Sequence, residues 1–278
     1  YPLLAHHYDR AGRAVEACDA LEQAAAQALR SGAFHEAVAF LTRALELADD
    51  ADGGVRCLPL RRARWHRLLA EAFDGAGDKA AMGQHARAAL RLIGRPAPRG
   101  ALRRALELGA DSLRQVRSAT GRAAPRPPTA ADETLELVRA HQALAAHSFY
   151  AQDALGMAHS VLRSTNLAEP AQLAAESSKG YSGMALMLGV LGQHRIAEHY
   201  ARRALATSRH VPDLNTAART YMMVALYHVG AAKFADCTAE IHQSQRLADE
   251  CADHVVWAEA QAIHIWSHPK PEYIQRAV

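Results

Sequence analysis

Aromatic side chains are scarce in this 278-residue chain: Phe, Trp and Tyr together make up 6%. The apolar half of the composition is therefore mostly Ala, Leu, Val, Ile and Met, which favours helix over strand. No stretch approaches 18 consecutive apolar residues, which argues against a membrane-spanning helix. The four cysteines, Cys18, Cys57, Cys237 and Cys251, form no C-x-x-C pair and read as reduced, buried thiols of a cytoplasmic protein. A Gly-Lys pair is missing altogether, so no phosphate-binding P-loop is present. Lysine itself is rare: Lys79, Lys179, Lys233 and Lys270 are four of 32 basic residues. Those 32 bases face 29 acids, a net charge of +3 that is too balanced for a dedicated nucleic-acid binder. With 50% hydrophobic and 22% charged residues the chain has the balance of a globular protein. It begins at Tyr1, without an initiator Met and in mid-helix pattern, as a piece of a longer polypeptide would.

What is present is repetition. A Gly or small turn residue is followed two positions later by an aromatic or small residue, then by an Ala-rich helix ending in A-L-x-L. Gly32-Ala33-Phe34-His35-Glu36-Ala37 with Leu41, Ala44, Leu45 and Leu47 shows it best. Further copies run from Gly77 to Leu92 and from Gly192 to Leu205. Weaker ones start near Gly12, at Ala151-Gln152-Asp153 and between Gly230 and Phe234. The helix before each turn carries large and small residues in alternation: Tyr181, Met184-Ala185 and Leu188; Leu69-Ala70 and Phe73; Tyr221 and Val224-Ala225. Small residues let antiparallel helices approach, large ones fill the grooves beside them, and the turn Gly ends the first helix. The phrase from Gly32 to Leu47 resembles the second helix of a tetratricopeptide (TPR) repeat. Its spacing exceeds that repeat's period of about 34 residues, as the step from Gln152 to Gly192 shows. The expected fold is all-α, a right-handed α-α superhelix of TPR-like hairpins.

The stretch from Gly94 to Pro128 breaks the repetition. Pro96, Pro98, Pro125, Pro127 and Pro128 bracket one helix whose Leu102, Leu106, Leu113 and Val116 share a face. Three parts are expected: hairpins over 1–95, a Pro-flanked, Arg-rich connecting helix over 96–128, and hairpins over 129–278. Residues 49–54, D-D-A-D-G-G, read as a solvated loop. Between Arg95 and Pro128 eight arginines oppose Glu107 and Asp111, so 8 − 2 = +6, and the rest of the chain carries 3 − 6 = −3. The apolar stripe is expected to dock on neighbouring hairpins. Arg103, Arg104, Arg114 and Arg117 are expected to face solvent and offer guanidinium groups to an acidic partner surface. No aromatics interleave with them, which counts against single-stranded nucleic acid.

Catalytic constellations are weak. Gly180-Tyr181-Ser182-Gly183 lacks the final Gly of a nucleophile elbow and lies in helical pattern, so its Gly-x-x-Gly step reads as close helix packing. Among 16 histidines, His264 and His268 are four apart and could form a metal edge, but no Glu completes H-E-x-x-H and Pro269 ends the helix there. His6 and His7, or His194 and His199, have poorer spacing. No catalytic residue, metal site or cofactor is implied.

Ala145-Ala146-His147-Ser148-Phe149-Tyr150-Ala151-Gln152-Asp153, then Ser164-Thr165-Asn166-Leu167-Ala168-Glu169, and Leu188 through Leu205, together resemble a particular region. It is the helical C-terminal region of large bacterial STAND-type signalling proteins. These carry an adenylate or guanylate cyclase, kinase or DNA-binding domain beside an AAA-type ATPase. Leu3-Leu4-Ala5-His6-His7-Tyr8, with Gly12 and Ala14-Val15-Glu16, resembles the start of that region. The resemblance implies a regulatory, non-enzymatic arm of a cytoplasmic signalling protein. Its partner is expected to be another domain of the same polypeptide or a separate protein or peptide.

For a scaffold of this kind, inward side chains come from the first helix of each hairpin, which nominates Tyr181, Arg219, Tyr221 and Trp257. The alternative is a small-molecule sensor gating an attached ATPase, as in maltotriose-type regulators. It would need Tyr221, His228, Trp257 and His264 to converge on one pocket.

Overall fold

A computed structural model describes residues 1–49, 58–119 and 131–267. Among the described residues there are thirteen α-helices and no strand. They are α1 (Pro2–Arg10), α2 (Ala14–Arg30), α3 (Phe34–Asp49), α4 (Pro59–Gly75), α5 (Lys79–Leu92), α6 (Ala101–Ala119) and α7 (Ala131–Tyr150). The rest are α8 (Ala154–Ala168), α9 (Ala174–Val190), α10 (His194–Ser208), α11 (Leu214–Gly230), α12 (Phe234–Glu250) and α13 (His254–Ser267). The all-α hairpin architecture expected from composition and repetition is present. The acidic loop placed after Asp49 lies outside the described residues.

Local chemistry sets where the helices start. Asp78 accepts the backbone N–H groups of Ala80 and Ala81 at 3.1 and 2.9 Å, and Asp253 accepts those of Val255 and Val256 at 3.0 Å. These caps fill donors that a helix cannot fill itself. Pro2 and Pro59 stand in the first turns of α1 and α4, where a missing N–H costs nothing.

Most of the helix ends share one device. At Gly12, Gly32, Gly77 and Gly192 the backbone turns left-handed, as it does at Gln152, Gln172, Ala232 and Ala252. At Gly192 the turn closes with Gly192 N–H donating to Gly189 O at 3.0 Å and Gln193 N–H to Leu188 O at 2.8 Å. The turn at Gln152 repeats it, onto Phe149 O at 3.1 Å and Ser148 O at 2.9 Å. Gln152, Gln172 and Gly192 are evenly spaced, and Ala232 and Ala252 are one step of the same length apart. The gap between Gly192 and Ala232 is two such steps. In this part of the chain one helix plus its turn fills one step and a hairpin fills two. The hairpin is thereby longer than the tetratricopeptide period of about 34 residues.

The chain divides into two compact units, Tyr1–Arg163 and Ser164–Val278. In the first, α2, α4 and α7 form one layer, with α3 packed on α2 and α4 and α5 packed on α4 and α7. Trp65, Leu41, Leu69, Leu21 and Ala44 make its core, with Cys18 buried among them. In the second, α9, α11 and α13 form the layer, with α10 against α9 and α11 and α12 against α11 and α13. Met222, Ala225, Ile241, Val256 and Ile263 fill the core around α11, α12 and α13, and Cys237 is buried there. Cys251 is half-buried rather than buried, because it stands at the exposed end of α12; Cys57 lies outside the described residues.

Small residues do bring helices close. A Cβ added to Gly180 would stand 2.7 Å from Thr165 Oγ1, and one on Gly189 would stand 2.6 Å from the Tyr227 ring. The Gly180-x-x-Gly183 step therefore sits in a helix at a close approach. Ser182 is buried and donates to Lys179 O at 2.9 Å, within its own helix.

Candidate interaction surfaces

The Arg-rich helix sits opposite to expectation. Leu102, Leu106, Leu113 and Val116 of α6 are 76, 67, 60 and 60% exposed, while Asp111 and Gln115 on the other face are buried. The apolar stripe does not dock on neighbouring hairpins; the polar face turns inward instead. Glu107 accepts from Arg163 at 3.1 Å and lies 3.2 Å from His159 Nε2. Asp111 pairs with Arg163 at 2.8 Å and with Arg114 at 2.6 Å. Arg104 is half-buried rather than solvent-facing, because its guanidinium pairs with Asp153 at the start of α8. Arg103, Arg114 and Arg117 are exposed as expected, with Arg103 bridging Glu107 along the helix at 3.2 Å.

The seat explains the inversion. Along α8, His159 is buried and Arg163 is largely covered, and a charge taken out of water needs an opposite charge beside it. Glu107 and Asp111 supply that charge. Burial pushes the Glu107 carboxyl up, but hydrogen bonds from His159 and Arg103 and the Arg163 charge outweigh it and hold the carboxyl below its usual range. Burial depresses the His159 imidazole despite Glu107. His141, edge-on to His159, is driven down to about 3 by burial and by the charges of His159 and Arg163.

Within the second unit, one nominated side chain, that of Tyr181, is placed differently from expectation. Tyr181 is buried, and its hydroxyl donates to Glu169 at 2.9 Å and accepts from Arg203 of α10 at 2.7 Å. The Arg203 guanidinium also lies 4.1 Å from the Tyr181 ring centre, so this tyrosine is part of the packing between α9 and α10. Burial and the Glu169 charge push its hydroxyl pKa up. Arg219 is half-exposed beside Asn215 at 3.2 Å and Asp253 at 3.6 Å, joining α11 to the cap of α13. Tyr221 is half-buried, and Trp257 is 38% exposed next to His242, Arg246 and Asp249 of α12.

Of the four residues required by a small-molecule sensor, Trp257 lines a cleft with His242, Gln245 and Arg246 of α12, and Tyr221, His228 and His264 are not among its lining residues. His228 is buried between α11 and α12, with Nδ1 2.7 Å from Glu240 and Nε2 3.5 Å from Glu198. Burial alone would lower its pKa, but the two carboxylates raise it. The His264 ring lies tilted beside that of His242, 5.8 Å between ring centres, on the α12 side of α13. These side chains face α12 because the first helix of each hairpin uses that face for packing. His268, the second member of the expected metal edge, lies outside the described residues. Among those described, no group of three or more His, Cys, Asp or Glu side chains could hold a metal ion. No described helix is long and apolar enough to cross a membrane.

An ionic ladder in the first unit escaped sequence reasoning. Glu22 of α2 accepts from Arg61 at 3.0 Å and from the Trp65 indole at 3.2 Å. Glu136 of α7 accepts from Arg64 at 3.1 Å and Arg67 at 2.6 Å. The signal was the arginine run of α4 (Arg61, Arg62, Arg64 and Arg67), which local acids do not balance.

No protein-family model and no curated protein matches the chain. Among solved structures, the TPR2AB domain of yeast Sti1 in complex with pHSP90 matches at 15% identity. The match covers 95% of this chain and 96% of that one, with a TM-score of 0.37. A superposition that loose carries no inference about ligand or mechanism.

Proposed function

We propose that this chain is a non-catalytic helical-repeat scaffold that holds a protein partner, either a peptide or another domain of its own polypeptide. The observation that carries the reading is apolar helix surface left uncovered. On α6 it is Leu102, Leu106, Leu113 and Val116; on α13 it is Val255, Trp257, Ile265 and Trp266, the last two 63 and 65% exposed. Large apolar side chains exposed along one helix face, as on α6, mark interaction sites. The principal buried charges, meanwhile, are engaged in internal pairs such as Arg67–Glu136, Asp111–Arg163 and His228–Glu240. The finer setting, a regulatory arm of a signalling ATPase or cyclase, is supported by the sequence resemblance alone.

Hydrogen exchange of the chain with and without the neighbouring domains of its own polypeptide tests the proposal. Protection gained on α6, α11 or α13 supports it. Unchanged exchange everywhere, combined with turnover of nucleotide by the chain alone, overturns it.

A further inference from the structure

We propose that the outer face of α6 is one half of a short coiled coil, whose other half is an amphipathic partner helix with acidic residues flanking its apolar seam. The inference rests on the scaffold reading and gives it a partner of defined chemistry. Leu102, Leu106, Gly109, Leu113 and Val116 follow one another in alternating steps of four and three, and all five are exposed. That is the 3.5-residue period of a coiled-coil seam, and a helix facing only solvent has no use for it. The opposite face cannot rotate to bury the stripe, because Glu107 and Asp111 are held by His159 and Arg163. At the centre of the seam, a Cβ on Gly109 would meet nothing within 4 Å, so the backbone itself is open to close approach there.

The flanks decide the occupant. Arg103 and Arg117 take the two exposed charged positions beside the seam, and the helix's acids, Glu107 and Asp111, lie on the inner side. A second copy running antiparallel would set Arg103 against Arg117 of that copy, like charge on like. A parallel copy would set Arg117 beside Ser112, with no carboxylate in reach. Charges beside the seam set partner choice and orientation, so a helix carrying Glu or Asp at these places complements α6 and a second α6 does not.

The probe is a three-heptad peptide with Leu at both seam positions and Glu at both flanking positions, compared with its Lys-flanked twin. Both are titrated against the whole chain by fluorescence anisotropy. The Glu peptide is expected to bind at least tenfold more tightly than the Lys peptide, and to weaken as salt is raised, because exposed charge pairs are screened. Leu106→Ser with Leu113→Ser should lower its affinity at least tenfold. Both residues are exposed, so circular dichroism and melting temperature should stay unchanged. Arg103→Glu with Arg117→Glu should invert the preference between the peptides. Equal binding of the two peptides, or binding untouched by the serine pair, overturns the proposal. So does a concentration-dependent dimer, seen in sedimentation, that the serine pair abolishes. In each of these cases exchange protection elsewhere on α11 or α13 would still uphold the scaffold reading.

Discussion

The Nε of Arg163 stands 2.8 Å from Oδ2 of Asp111, a carboxylate with 1% of its side chain exposed. This pair, with Glu107 beside it, fixes which way α6 faces. Removing Asp111 leaves Arg163 with Glu107 as its remaining carboxylate and takes away the more deeply covered of the two anchors of α6. Asp111→Ala is expected to cost about 2–4 kcal/mol, below the upper end for buried pairs because Arg163 is 23% exposed. Loss of α6 protection in hydrogen exchange, with α2 to α5 unchanged, is the expected signature. A variant that unfolds the first unit as a whole would show that α6 is part of its core.

Stability is expected to fall on mild acidification, and buried histidines are the reason. His141 is held down to about 3 and His66 to about 4, in each case chiefly by burial. An unfolded imidazole titrates near 6.5. Between that value and the depressed folded ones, the unfolded chain takes up protons that the fold refuses, so stability drops as pH falls through the window. For His141 the slope approaches about 1.4 kcal/mol per pH unit. His228 works in the opposite sense, because Glu240 and Glu198 raise its value: its contribution is complete below 6.5 and is lost as pH rises through the raised folded value. Urea midpoints between pH 7 and 5 should therefore fall less steeply for His141→Gln than for the parent chain. An unchanged slope would remove His141 from the explanation.

Four turns hold side-chain-bearing residues in left-handed backbone, at Gln152, Gln172, Ala232 and Ala252, with φ near 55° at each. The same turn is made by glycine at Gly32 and Gly192. An L-residue in this conformation costs about 1 kcal/mol relative to Gly. Ala232→Gly and Ala252→Gly should each raise stability by roughly that amount, measured as the urea midpoint at constant m. A loss of stability in both variants would mean that these side chains contribute packing worth more than the strain.

These turns also mark how far the sequence could be read. Helices starting at Ala14, Phe34, Lys79 and His194 follow glycine, and their beginnings were legible from that residue and the Ala-Leu pattern behind it. The starts of α9 and α13 follow Gln172 and Ala252, which carry no glycine signal; the even spacing of the turns is what identifies them. The stripe on α6 was legible as a face, but its direction was not. Periodicity says which residues lie together, whereas the seat on α8 is built from His159 and Arg163, which lie beyond the whole of α7 in the chain. Tyr181 failed as a surface residue for a similar reason, since Glu169 and Arg203 hold its hydroxyl inside.

The ladder across α2, α4 and α7 yields a test of what holds the first layer together. Glu136 is 2% exposed and Arg67 7%, and their contact of 2.6 Å lies among packed side chains. Bringing both charges out of water costs several kcal/mol, and their attraction repays it only while both are present. Glu136→Gln retains the shape but leaves Arg67 and Arg64 facing a neutral amide, so a loss of about 3–5 kcal/mol is expected. Replacing both partners, as Glu136→Leu with Arg67→Met, exchanges the pair for apolar contact of similar volume and should restore most of that loss. A double-mutant cycle on urea unfolding measures the coupling. If the double variant is as unstable as the single one, the coupling is small. The ladder would then owe its place to the Arg64 and Trp65 contacts that tie α4 to its neighbours, and Arg67–Glu136 would be incidental to the layer.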